Sequence, residues 1–463
     1  MNTIVASPEL EVDLDLIRRL DRNGPRYTSY PTADRFAGTF NAESYQNWVA
    51  KRDASKPLSL YIHIPFCNTL CFYCACNKII TKDRSKSAKY VQYLVKEMGM
   101  QAALMPGERR LEQLHWGGGT PTFLSDDEMR ILMDATNEHF TLVKDGEYSI
   151  EIDPRKVSDE TIALLGNLGF NRISIGVQDF DPQVQQAVNR IQSEEETLRV
   201  IRAARANGFK SVSLDLIYGL PKQTLSSVKT TLGKVIAANP DRLSIYNYAH
   251  MPTIFMPQRR IHEADLPAPQ TKLDILKLAV NMLTDAGYVY IGMDHFAKPD
   301  DELAVAQRQG RLHRNFQGYS THADCDLVAL GVSAIGKIGP TYSQNFREDE
   351  EYYAALDRGV LPIMRGMALD EDDLVRREII QALMCHFALT KAAFKSGFGI
   401  DFDSYFATEL AELDEYVREG LVILSPESVI VTPKGRMLIR NICMVFDKYL
   451  RTRQEHARYS KVI

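Results

Sequence analysis

Leu58-Ser59-Leu60-Tyr61-Ile62-His63-Ile64-Pro65-Phe66-Cys67-Asn68-Thr69-Leu70-Cys71-Phe72-Tyr73-Cys74-Ala75-Cys76 is the stretch on which fold and chemistry turn. Its first half is a short apolar, β-branched run, which reads as a buried strand. Its second half places four cysteines within ten residues. The strand pattern recurs downstream, at residues 113–116, 148–153, 172–177, 211–217 and 242–246. Each run ends in a polar or glycine-rich turn, and an amphipathic stretch follows with apolar residues three and four apart, as at Ile162, Leu164, Leu165 and Leu168. Strands alternating with helices imply parallel βα units, and six of them make a partial TIM-type (β/α)6 barrel of the α/β class. In such folds the chemistry sits at the carboxyl ends of the strands. The unusual residues lie there: Cys67 after the first strand, Gly117 after the second, Asp153-Pro154 after the third, Gln178 after the fourth and Gly219 after the fifth.

Cys67, Cys71 and Cys74 form a Cys-x3-Cys-x2-Cys pattern. Thiolates this close on one loop suit an iron–sulfur cube, and three of them leave one iron open to a chelating small molecule. Structural zinc draws its ligands from two separated knuckles, a geometry that one tight loop strains. A thioredoxin-type Cys-x-x-Cys has no need of flanking cysteines. The spacing therefore favours a [4Fe–4S] cluster. The other three of the seven cysteines, Cys325, Cys385 and Cys443, are scattered. An odd count clustered in this way argues against a disulfide framework.

The chain has 463 residues, 45% apolar and 25% charged, with a formal net charge of −5. These are ordinary globular values, and nothing in them calls for nucleic acid or an anionic membrane. The N-terminus has no basic region followed by an apolar one, and no apolar run is long enough to span a bilayer, so a cytoplasmic location is expected. Three regions are expected: an N-terminal arm over residues 1–50, a catalytic barrel over 51–350 and a mainly helical C-terminal domain over 351–463. Near the end, residues 420–424 and 429–432 read as two short strands, and a helix follows from about Lys434, which together suggest a winged-helix-like module. That module lacks a dense basic helix, so a cap or packing role is expected of it. No Ser-His-Asp or paired-carboxylate arrangement supports hydrolysis.

The cysteine loop after a first strand resembles the signature of the radical S-adenosylmethionine superfamily. Further stretches narrow the resemblance. They are the Pro25-to-Pro31 segment, Cys76 two residues past the third ligand, residues 115–122 (HWGGGTPT), 151–155 (EIDPR), 176–180 (GVQDF), 215–221 (DLIYGLP) and 313–319 (HRNFQGY). Together they resemble the oxygen-independent coproporphyrinogen III oxidase (dehydrogenase) family, from about residue 20 to the C-terminus.

The resemblance implies a radical reaction. One electron breaks S-adenosylmethionine, and the resulting 5′-deoxyadenosyl radical takes a hydrogen from a propionate of coproporphyrinogen III. Loss of CO2 and of one electron to an acceptor leaves a vinyl group, and two such rounds give protoporphyrinogen IX. It implies contacts of Tyr61, Gly118, Glu151 and Ile335 with the S-adenosylmethionine on the cluster. Tyr73, Gly119, Thr120, Gln178, Arg190, Asp215 and Ala249 are expected to contact the same molecule or a second one beside it. Glu151 suits ribose hydroxyls, Asp215 is read as lying at a strand end, and Arg190 can clamp a carboxylate. Cys76 is expected near the reaction as a catalytic residue and is not counted as a ligand, because a fourth thiolate would block the open iron. Arg26, Lys78, Arg308, Arg311, His313 and Arg314 are candidates for the substrate's propionates by charge and region. An electron donor such as flavodoxin or ferredoxin and a monomeric state are also implied. The alternative is a haem-binding chaperone of the same superfamily.

Overall fold

The computed structural model describes residues 10–450 except 324, together with residue 459. The first nine residues of the expected arm, and the chain past 450 apart from residue 459, lie outside the described residues.

Six strands follow one another in parallel: β1 (Leu58–Ile64), β2 (Arg110–Gly118), β3 (Thr141–Ile152), β4 (Arg172–Gln178), β5 (Ser211–Tyr218) and β6 (Arg242–Asn247). Nearly every residue of β1 is buried, as expected of a strand covered by helices on one face and by the barrel interior on the other. The intervening helices begin where the sequence supplies a cap. Ser125, Ser193 and Thr224 each accept the amide of the residue three positions on, and Glu128 and Glu196 return the bond to complete capping boxes at the first two. All six expected strands are present.

The sheet is wider than the sequence pattern suggests. It continues through β7 (Val289–Gly292), β8 (His295–Ala297), β9 (Asp326–Leu330), β10 (Ile335–Ile338), β11 (Thr341–Asn345) and β12 (Ile363–Ala368). Its order is β12-β11-β10-β9-β1-β2-β3-β4-β5-β6-β8-β7. β9 runs parallel to β1 on the side away from β2, whereas the outer strands pair antiparallel. A short hairpin, His313–Asn315 with Gly318–Ser320, precedes β9 where an alternating pattern would place a helix. The main sheet reaches Ala368, past residue 350.

Beyond it, helices Glu371–His386, Ala407–Arg418 and Ile439–Val445 surround a three-stranded antiparallel sheet of Ala388–Thr390, Ser428–Val431 and Val422–Leu424. The arm lies between this region and the barrel. Leu16, Ile17 and Leu20 of helix Leu14–Leu20 are buried, as are Tyr27 and Tyr30. The Tyr27 hydroxyl donates to Asp447 at 2.9 Å, Arg440 Nε donates to the Pro25 carbonyl at 2.8 Å, and the Tyr342 hydroxyl donates to the Tyr30 carbonyl at 3.2 Å. The arm is thus part of the core.

Candidate active site

After β1 the chain makes a two-residue strand, Phe66–Cys67, that pairs with Ile79–Ile80 and closes the loop carrying the cysteines. The loop is held from several sides. The Phe72 amide donates to the Val188 carbonyl at 2.9 Å, Asn189 to the Leu70 carbonyl at 2.8 Å and Gln258 to the Tyr73 carbonyl at 3.1 Å. Lys78 Nζ donates to the carbonyls of Cys74 and Cys76 at 3.0 and 3.2 Å, so this propionate candidate is already engaged by the loop. Cys67, Cys71, Cys74 and Cys76 all line one cavity of about 300 Å³ at the carboxyl ends of the strands.

The donor set fits an iron–sulfur cluster. Three thiols from one pinned loop face a single space, and two guanidiniums approach one of them. Arg190 Nη1 lies 3.6 Å and Arg155 Nη2 3.9 Å from Cys71 Sγ. Cations there offset the negative charge that ligated thiolates carry. Asp153 holds both cations, with Arg155 at 2.5 Å and Arg190 at 3.4 Å. Burial pushes the Asp153 carboxyl upward, but the hydrogen bond and charge of Arg155 and the charge of Arg190 hold it below its usual range.

The glycine run meets the loop directly. Gly118 has φ +117°, and a Cβ there would lie 2.6 Å from the His63 ring; a Cβ on Gly119 would lie 2.5 Å from the Pro65 carbonyl oxygen. The backbone of β2 therefore touches β1 and the start of the cysteine loop where only glycine fits. This packing reason within the protein stands beside the expected contact with a ligand.

Glu151, near the end of β3, faces the cavity. Its Oε1 meets His115 Nε2 at 3.2 Å, and its Oε2 accepts the Gly118 amide at 3.2 Å. Burial pushes this carboxyl up, and the bond from His115 leads the effects that bring it below its ordinary value. The Tyr61 hydroxyl meets His63 Nδ1 at 3.0 Å, and His63 Nε2 meets the Asn77 carbonyl at 3.0 Å. Asp215 departs from its expected place. It is the fifth of eight residues in β5, inside the barrel, where the Ser174 hydroxyl donates to it at 2.8 Å and burial pushes its carboxyl up to about 6.

The cavity brings together Tyr73, Gly118, Gly119, Thr120, Glu151, Gln178, Arg190 and Asp215 with the cysteines. Gln178 reaches it through φ +68° at the end of β4, an uncommon backbone for a residue with a side chain. Tyr61, Ala249 and Ile335 are not among its lining residues. Tyr61 stacks on His115 at 5.8 Å, Ala249 follows Tyr248 beyond β6, and Ile335 begins β10 beside an aromatic group of Phe36, Phe316 and Tyr342. Arg155, His63 and His115 were not singled out from the sequence, although Arg155 and His115 fall inside the stretches quoted for the resemblance, and Asp153 was noted only as an unusual residue at a strand end. The other propionate candidates are dispersed. Arg26 pairs with Asp294, Arg308 ends a helix, Arg311 bonds Gln309 on the surface, and His313 and Arg314 lie on the hairpin before β9.

A parallel βα barrel that delivers a Cys-x3-Cys-x2-Cys loop to the cavity at its carboxyl ends defines a radical SAM protein. The Radical SAM superfamily profile matches residues 61–235, and the HemN C-terminal domain profile matches residues 369–438. The chain is 53% identical to the oxygen-independent coproporphyrinogen III oxidase of Pseudomonas aeruginosa, over 97% of this chain and 98% of that one. It is 50% identical to the protein of the same name from Escherichia coli, over 98% and 99%. The solved structure of the E. coli coproporphyrinogen III oxidase, described as a radical SAM enzyme, superposes with a TM-score of 0.92 at 49% identity, over 96% of this chain and all of that one. The chain belongs to the oxygen-independent coproporphyrinogen III oxidase family. Among the described residues no helix is long and apolar enough to cross a membrane.

Proposed function

We propose that this protein is an oxidoreductase that converts two propionate side chains of coproporphyrinogen III to vinyl groups without oxygen, giving protoporphyrinogen IX. The observation that carries the reading is the placement of Cys67, Cys71 and Cys74 on one wall of the barrel cavity, in a chain that aligns end to end with named oxidases. The haem-chaperone alternative is not favoured by these relatives. When bound, the cluster and S-adenosylmethionine supply what side chains cannot, a carbon-centred radical that removes hydrogen from a methylene.

The chain's own residues hold and orient. Cys67, Cys71 and Cys74 are the cluster ligands in this reading. Gly118, Glu151, Tyr61 and Ile335 position the cofactor on it, Glu151 being fixed in advance by His115 and the Gly118 amide. Tyr73, Gly119, Thr120, Gln178, Arg190, Asp215 and Ala249 contact that molecule or a second copy beside it. Asp153 keeps Arg190 aimed at Cys71 and at the Gly176 carbonyl. Cys76 is the nearby catalytic thiol. The buried arm helps keep bulk water away from the reacting carbon. A cytoplasmic location, an electron donor such as flavodoxin or ferredoxin and a monomeric state belong to the same reading. The test is an anaerobic assay of the reconstituted protein with coproporphyrinogen III, S-adenosylmethionine and reductant. Formation of protoporphyrinogen IX is expected, and cofactor cleavage with no change in the tetrapyrrole would overturn the reading.

A further inference from the structure

One pocket of the barrel is lined by several cations and, among its described residues, by no carboxylate. It is a small cavity of about 30 Å³ between β1, β9, β10, the hairpin before β9 and helix Glu371–His386. Arg314, Lys337 and Arg377 line it with His313, and among the described lining residues there is no Asp or Glu. Arg314 is 3% exposed and lies over the Tyr319 ring, 4.7 Å from its centroid, yet its Nε and Nη1 have no hydrogen-bond partner. Arg377 Nη1 also has none. Asp326, the acidic residue that acts on Lys337, is already bound to Arg52 at 3.1 Å and to the Gly339 amide at 2.8 Å. Burial, reinforced by Arg377, pulls the Lys337 ammonium down to about 8, and burial beside Lys337 and Arg377 keeps His313 neutral, down to about 3. Unpaired cations gathered out of bulk water are costly unless an anion joins them.

The register places this pocket relative to the active site. Ser59 of β1 pairs with Leu327 of β9, and Leu327 pairs with Lys337 of β10. Tyr61 lies two residues further along β1, and Ile335 two residues back along the antiparallel β10, so both rise toward the carboxyl end of the barrel. Two residues of strand span about 6.6 Å and return to the same face. Ser59 and Lys337 therefore form the row directly beneath Tyr61 and Ile335, one layer deeper than the residues expected to hold the cofactor.

We propose that Lys337 and Arg377, beside His313, form a carboxylate pocket that receives a propionate of the tetrapyrrole other than the one reacting. This rests on the proposed function and adds to it the group that orients the substrate. A propionate anchored one layer down fixes which methylene faces the cofactor, and one guanidinium can meet a carboxylate through two parallel bonds. His313 was a candidate from the sequence, whereas Lys337 and Arg377 join it only through the fold.

The test uses the anaerobically reconstituted holoenzyme. Arg377→Gln and Lys337→Met are each expected to raise KM for coproporphyrinogen III about tenfold, the cost of one charge-assisted bond. Iron content and KM for S-adenosylmethionine should hold. Binding of the tetrapyrrole with its carboxylates esterified should not distinguish variant from parent, and Arg377→Lys should recover part of the loss. Lys337→Met removes an unpaired cation at nearly constant volume, so it should be at least as thermostable as the parent and decides the matter if Arg377→Gln fails to fold. An unchanged KM in folded, cluster-loaded variants overturns the pocket. A parent enzyme that does not decarboxylate coproporphyrinogen III at all overturns the underlying function instead.

Discussion

The Gly118 amide donates to Glu151 Oε2 at 3.2 Å, joining the ends of two neighbouring strands by a bond between backbone and carboxylate. With His115 on the other oxygen, the carboxylate is oriented before any ligand arrives. Glu151→Gln keeps the shape but turns one acceptor into a donor, facing either His115 or the amide. We expect the Kd for S-adenosylmethionine to rise about tenfold, near 1.4 kcal/mol. Iron content should not change, because Glu151 is off the cysteine loop. Equilibrium binding to the reconstituted protein checks this, and an unaltered Kd would remove Glu151 from the cofactor site.

The four clustered cysteines should separate into two groups. Serine at Cys67, Cys71 or Cys74 is expected to abolish a cluster of about four irons and four sulfides. Serine at Cys76 is expected to keep the iron and lower turnover. Iron and sulfide analysis beside product formation tests both, and loss of iron in Cys76→Ser would make it a ligand.

Gly118→Ala introduces a Cβ 2.6 Å from the His63 ring at a φ of +117°. Strain of this kind costs about 1–3 kcal/mol, and relief by moving His63 would break its contact with Tyr61. Lower thermal stability together with weaker S-adenosylmethionine binding is expected. A variant with parental values for both would show that the close approach is easily relieved.

Arg26 of the arm pairs with Asp294 and lies over Tyr246, a residue that lines the cluster cavity. Arg26→Ala should loosen the arm there while Tyr27 and Tyr30 remain in the core. The ratio of deoxyadenosine to protoporphyrinogen is expected to rise several-fold as the radical is quenched before it meets substrate. Deleting residues 1–31 is a poorer test, since it also removes the buried Leu16, Ile17 and Leu20.

Glu97 gives a pH dependence with a definite sign. It is fully buried and accepts from the Tyr352 hydroxyl at 2.6 Å, Asn345 at 2.7 Å and the Gly331 amide at 2.8 Å, yet burial outweighs these donors and pushes it up to about 7. A raised carboxyl means that the folded state binds the extra proton, so stability is greatest below the unfolded value and falls as pH rises through 7, by about 3 kcal/mol for this group. Thermal unfolding of the holoprotein between pH 5 and 8 should show a shallower decline for Glu97→Gln than for the parent. Parallel curves would mean that Glu97 titrates normally.

The six strands from β1 to β6 were legible because each is a short apolar run, and several are followed by a helix with its own start signal, such as Ser125 with Glu128. β9 was not, because a hairpin replaces the helix before it, and its run of five residues gives no period to read. The cysteine loop was legible from spacing alone. The clamp of Asp153 on Arg155 and Arg190 was not, since Arg190 lies 37 residues further on and only the fold makes them neighbours. Asp215 was found but placed at the end of its strand. Its inward position follows from the alternation of β5, which sets residues 213 and 215 on one face. Lys337 and Arg377 left no local trace, because what singles them out is that no described residue lining their pocket is acidic.

The pairing of β9 with β1 also has a consequence for biosynthesis on the ribosome. β1, which leads directly into the cysteine loop, acquires its second parallel neighbour only when residues 326–330 have been made. That is roughly 260 residues after β1 itself, or tens of seconds of elongation at 5–20 residues per second. For that interval the strand preceding the cluster ligands has one open edge, and an open edge can pair with the wrong partner. A nascent chain arrested before residue 326 is therefore the form of this protein most in need of chaperone protection.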